Sequence, residues 1–205
     1  MISIVLYIAG VATGYNLQQN ISEVVGEDIV QVRSDITTVE QEIPLLSLRG
    51  EGSCRILSTL SLDVNERLNF ILNNLIELEN RGASGEVYDD LLIDYTSLVV
   101  RGWILDRDIK DSCDYSSVPT LYFYSVPCDD CIEQGKIIDG LRDKYGDRFP
   151  VFVLNSKIDQ PAVKILTRSF NITETPALII GSKAYQGKMS RETLDNEICV
   201  ALGEC

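Results

Sequence analysis

Leu121-Tyr122-Phe123-Tyr124-Ser125-Val126-Pro127-Cys128-Asp129-Asp130-Cys131 is a run of large apolar side chains that stops at a proline and delivers two cysteines spaced C-x-x-C. The run has strand length, and the residues after Pro127 read as a helix. Cys128 then falls at a helix start, where unpaired N–H groups and the helix dipole stabilise a thiolate. Cys131 lies one turn in, more buried and within reach of the first sulfur. Such a pair can exchange a disulfide, Cys128 attacking as nucleophile and Cys131 resolving.

Working toward the C-terminus, an apolar strand at 120–125 leads through Pro127 into a helix at about 128–146. A strand at 151–154, a helix at about 160–170 and a strand at 177–180 come next. After the two-residue turn Gly181-Ser182, a short strand at 183–187 and a helix at 190–202 complete the order βαβαββα. Read with right-handed crossovers, the two βαβ connections are expected to be parallel, and the Gly-Ser turn makes the last pair an antiparallel hairpin. The expected fold class of this part is α/β, a mixed four-stranded sheet with helices on both faces.

Toward the N-terminus the pattern is helical. Leu57, Val64, Leu68, Ile71, Leu75 and Leu78 mark a helix over about 53–80, and Tyr88, Leu91, Leu92, Tyr95, Leu98, Val99, Trp103 and Ile109 mark another over about 86–111. The short turn Gly82-Ala83-Ser84-Gly85 between helices of similar length predicts an antiparallel αα-hairpin. Cys54 and Cys113 are equidistant from that turn. They are expected to meet at the open end as a structural disulfide. Ile29, Val32, Ile36, Val39 and Ile43 repeat at spacings of three and four, so residues 22–43 read as a further amphipathic, coiled-coil-like helix that Pro44 ends.

The first fifteen residues carry no charged side chain, and no Lys or Arg precedes Arg33. Three readings stand: an uncleaved membrane anchor over residues 1–17, a signal segment cut after the small residues Ala12 and Gly14, or a buried core helix. The expected organisation is an anchor or signal segment (1–17), a helical region (18–116) containing the hairpin (53–113), and an α/β domain (117–205). The first two readings place the folded part outside the cytoplasm, anchored in one case and secreted in the other.

Six cysteines and no histidine narrow the chemistry. Ser-His and Cys-His catalysis and imidazole metal sites are excluded, and an even cysteine count suits an oxidising compartment. A zinc site would have to join Cys128 and Cys131 to Cys199 and Cys205, which the spacing does not favour, so neither metal nor cofactor is expected. Cys199 and Cys205 flank Gly203, a helix cap that turns the chain back, and read either as a local disulfide or as free thiols. The formal net charge of −13 lies mostly before residue 118 and disfavours nucleic acid and anionic lipid as partners. Asn20-Ile21-Ser22 and Asn171-Ile172-Thr173 are acceptors for glycosylation only in a secretory system that performs it.

Residues 118–205 resemble a thioredoxin-fold domain. The resemblance rests on the strand before Cys128-Asp129-Asp130-Cys131, on the βαβαββα order, and on Thr175-Pro176-Ala177-Leu178-Ile179-Ile180 followed by Gly187. It implies a cis Pro176 beside the two cysteines, and a Thr175 backbone that pairs with an extended substrate peptide. Three positions depart from thioredoxin proper: Pro127 stands where it has Trp, Tyr122 where it has a buried acid, and Asp129-Asp130 where it has Gly-Pro. Asp129 and Asp130 admit two readings, as acids favoured by the helix dipole or as charges that disfavour the Cys128 thiolate and make the disulfide a weaker oxidant. The expected function is thiol-disulfide exchange on protein thiols and disulfides, in concert with a redox partner. The competing expectation is a scaffold that binds a partner through its hairpin.

Overall fold

A computed structural model describes residues 53–80, 85–113 and 115–205. The anchor or signal segment at 1–17, the amphipathic helix at 22–43 and the Asn20 acceptor lie outside the described residues. Among the described residues no helix is long and apolar enough to cross a membrane.

Helix α1 (Ser53–Asn80) and helix α2 (Glu86–Ser112) form the hairpin. Their facing positions are those of the apolar spacing: Leu57, Val64, Leu68, Ile71, Leu75 and Leu78 on α1, with Leu91, Leu98, Val99 and Ile109 on α2, are all buried. Polar contact also enters this interface, where Ser61 donates to the Asp106 carboxylate. Burial pushes the Asp106 carboxyl above its ordinary value, and the Ser61 hydrogen bond opposes that rise. The open end is closed by a disulfide between Cys54 and Cys113, whose Cα atoms are 5.5 Å apart.

The chain continues into β1 (Thr120–Tyr124), α3 (Asp129–Tyr145), a 3-10 turn (Gly146–Arg148), β2 (Val151–Asn155), α4 (Pro161–Ser169), β3 (Ala177–Ile180), β4 (Lys183–Gln186) and α5 (Arg191–Leu202). The strands form one mixed sheet in the order β2-β1-β3-β4. β1 and β2 are parallel, while β1–β3 and β3–β4 are antiparallel. Alternate residues on each strand point to opposite faces. On one face Tyr122, Leu178 and Ile180 meet Ile138 and Leu141 of α3 with Leu194 and Ile198 of α5 in one core.

The other face receives the hairpin. A Cβ at Gly102 of α2 would lie 2.7 Å from Cε1 of Phe152 on β2 and 3.0 Å from Cγ1 of Val64 on α1, so a glycine there lets α2 fit between helix and sheet. Trp103, 3 % exposed, packs edge-on against Phe170 just beyond α4, with ring centroids 6.1 Å apart. The described residues accordingly cluster as one compact unit.

The direction of β3 corrects the expectation from sequence. Parallel strands are expected at both βαβ connections, yet β3 runs antiparallel to β1, with Thr120 opposite Ile180 and Phe123 opposite Ala177. The handedness rule governs crossovers between parallel strands and does not make strands parallel. The local cause is the end of α4. Asn171 takes a left-handed conformation (φ 50°), with Ile172 N–H donating to Thr167 O at 2.7 Å and Asn171 N–H to Arg168 O at 3.2 Å, a Schellman turn that reverses the chain. The Gln186 side chain then holds the returning loop, its Oε1 accepting from Thr173 N–H and Glu174 N–H and its Nε2 donating to Asn171 O. β3 therefore starts at the end where β1 stops.

Candidate active site

That reversal sets Thr175-Pro176 beside the start of α3. Pro127 precedes the helix, and Cys128 is its N-cap residue in an extended conformation. Its sulfur accepts the Cys131 N–H at 3.1 Å, the position at which a capping oxygen ordinarily sits. Cys128 and Cys131 are joined in a disulfide with Cα atoms 5.2 Å apart. Cys131 is buried, whereas Cys128 is half-buried with its sulfur 4.0 Å from the Thr175 carbonyl oxygen. The Thr175-Pro176 peptide is cis, as is Val126-Pro127.

Several contacts that brace this arrangement carry no signal in the sequence. Ser125 and Thr175 share a hydrogen bond between hydroxyls at 2.7 Å, which ties the loop after β1 to the loop before β3. The buried Tyr122 hydroxyl donates to the Cys131 carbonyl at 2.8 Å. Burial, with a smaller contribution from Tyr124, pushes the Tyr122 hydroxyl up to about 12. It stays protonated through the physiological range and is a hydrogen-bond donor there, unlike a carboxylate. Its inward position is legible from strand alternation; its partner is not.

The two aspartates differ in their surroundings. Asp129 and Asp130 occupy the first turn of α3, near the positive end of the helix dipole. Lys188, just beyond β4, bridges Asp130 at 3.1 Å and also pairs with Glu133. These carboxylates raise the Lys188 ammonium above its ordinary value. Gly187 N–H donates to Pro176 O at 2.9 Å and Met189 N–H to the buried Gln134 Oε1 at 2.7 Å, so the segment carrying Lys188 is fastened on both sides. Asp129 makes no ion pair among the described residues.

The remaining cysteines lie at the other end of the sheet. Cys113 follows the end of α2, seven positions before β1 begins at its amino end. Cys199 and Cys205 are disulfide-bonded, Cα atoms 5.6 Å apart, around Gly203 in the left-handed conformation. Glu204 beside them pairs with Arg148, whose carbonyl accepts Val118 N–H just before β1. Cys128–Cys131 and Cys199–Cys205 are two separate disulfides toward opposite ends of the sheet, so the four sulfurs are not brought together. Among the described residues no cluster of three or more Cys, Asp or Glu could hold a metal. The structure thus brings together Cys128, Cys131, Asp129, Asp130, Thr175 and Pro176, and separates them from Cys54, Cys113, Cys199 and Cys205.

No family model matches the chain, and no curated protein matches it. Among solved structures, one described as the structure of a malarial protein aligns with 42 % of this chain and 98 % of its own, at 23 % identity and a TM-score of 0.36.

Proposed function

We propose that the chain is a thiol-disulfide oxidoreductase with a thioredoxin-like domain over 118–205, held outside the cytoplasm by residues 1–17 and acting on protein thiols and disulfides. The observation that carries this reading is the half-buried Cys128 sulfur. It caps a helix, is bonded to a buried Cys131, and lies 4.0 Å from the backbone of Thr175. In the reductive direction the Cys128 thiolate attacks one sulfur of a substrate disulfide. That bond breaks, a mixed disulfide forms, and the departing substrate thiolate takes up a proton. The Cys131 thiolate then attacks Cys128, which expels the second substrate thiol and leaves the Cys128–Cys131 disulfide. Two electrons pass to the substrate, and the reverse sequence oxidises a dithiol. The Cys131 N–H at the Cys128 sulfur stabilises the thiolate in either direction.

Disulfides at Cys54–Cys113 and Cys199–Cys205 support an oxidising home, where such bonds persist. The deciding experiment uses Cys131→Ser. The full chain carrying it is expected to accumulate mixed disulfides through Cys128 that a Cys128→Ser control does not form. An absence of such adducts, together with no dithiol-dependent reduction of a test disulfide by the unsubstituted protein, would refute the reading. The scaffold role would then replace it.

A further inference from the structure

We infer that the substrate segment docking at Cys128 is cationic: an extended stretch whose cysteine is flanked by Lys or Arg. The inference rests on the thiol-exchange reading and adds the substrate class to it. Asp129 follows the nucleophile on the helix side. Glu174 precedes Thr175 in the loop before β3, its Oε1 3.8 Å from where a Cβ on Gly187 would stand, next in the chain to Lys188. Both are exposed, and among the described residues neither is paired with a base. Asp130 and Glu133 stand on the same side as Asp129, and the base beside them, Lys188, is already shared between the two. Asp129 and Glu174 thus put two carboxylates without a base next to Cys128 and Thr175 in the chain, beside the Asp130–Lys188–Glu133 cluster.

Two exposed apolar side chains accompany these charges. Val126, 74 % exposed, and Ile132, 61 % exposed, stand on either side of the cysteine pair. A cysteine with aliphatic side-chain stems and cationic ends fits both features, because Lys and Arg lay their methylenes on apolar surface while the head seeks a carboxylate. The formal net charge of −13 adds long-range attraction for the same class. An acidic segment would meet two unpaired carboxylates at the point of attack.

The test uses the reduced full-length chain and three disulfide-bridged peptides alike except for the residues flanking cysteine, which are Lys, Gln or Glu. Each rate is divided by that of the same peptide with dithiothreitol, which removes the intrinsic effect of the flanking charge on the leaving thiol. At low salt the normalised Lys-to-Glu ratio is expected to be roughly tenfold and to fall toward one in 0.5 M NaCl. The double variant Asp129→Asn with Glu174→Gln is expected to bring the low-salt ratio down to the high-salt value. Equal normalised rates for the three peptides would overturn the inference while leaving thiol exchange in place, as would a ratio that the double variant does not change. Failure of all three peptides to react would overturn both.

Discussion

Removing the covalent clip at the open end of the hairpin, by Cys54→Ser together with Cys113→Ser, has a magnitude set by the chain itself. The two residues are 59 apart in sequence. Closing a loop of that length removes about 14 cal/mol/K of entropy from the unfolded chain, or about 4 kcal/mol at 25 °C in the chain-entropy model. For a unit of this size each kcal/mol corresponds to roughly 2–4 °C, so Tm should fall by roughly 8–16 °C. The single tryptophan, Trp103, sits where α2 packs against Phe170 just beyond α4, and its fluorescence reports the loss of that packing during urea denaturation. Substitution is preferable to a reductant, which would also open Cys128–Cys131. The measurement requires equal m-values, since a changed slope would signal a changed unfolded state. A loss below about 1 kcal/mol would refute the reasoning: helix packing alone would then hold the hairpin, and the disulfide would not restrict the unfolded chain.

Gly102→Ala should invert the usual helix preference. Alanine in a helix interior is worth about 1 kcal/mol over glycine, but here its Cβ would meet Phe152 at 2.7 Å. Overpacking of about 1–3 kcal/mol should prevail in urea denaturation, and a more stable variant would contradict the close approach. Tyr122→Phe should cost about 1 kcal/mol through the lost bond to Cys131 and leave the pH profile of thiol exchange between pH 6 and 9 unmoved. A hydroxyl raised from 10.0 to about 12 does not titrate there. Because the raised value favours the protonated form in the fold, its stabilising effect is complete below 10.0 and is lost as pH climbs toward 12. A profile shifted within the pH 6–9 window would give Tyr122 a proton-transfer role. Lys188→Gln frees the charges of Asp130 and Glu133 and should slow alkylation of Cys128 at neutral pH by roughly two- to fivefold at low salt. An unchanged rate would show that the pair does not act on the thiolate.

The elements are largely legible in the sequence because the side chains that define them are local. The apolar spacing of Leu57 through Leu78 shows which side of α1 is buried, and Pro127, Gly181 and Gly203 mark ends and turns that the structure places at the same positions. Pairing across the hairpin is legible too, since antiparallel helices set position 54 opposite 113 by counting alone. The features that escape depend on contacts made over long sequence distances. The reversal at Asn171 needs a left-handed residue that Asn tolerates without announcing it, and the loop after it is held by Gln186, fifteen residues away. Lys188 reaches Glu133 across a separation of 55 residues. No periodicity encodes that meeting, nor the hydroxyl contact of Ser125 with Thr175.

Where the six cysteines lie has a consequence for the molecule's own integrity. Cys128 and Cys131 stand at the carboxyl ends of β1 and β2, while Cys54–Cys113 and Cys199–Cys205 stand at the amino ends. Thiol exchange requires the attacking sulfur to touch the bond it breaks, and a five-residue strand alone spans roughly 16 Å. A thiolate freed at Cys128 therefore cannot reach either scaffold bond within the same folded chain. Under the proposed exchange, the sheet would act as a spacer against self-scrambling, letting Cys128 and Cys131 cycle while the bonds that hold the frame stay out of circulation.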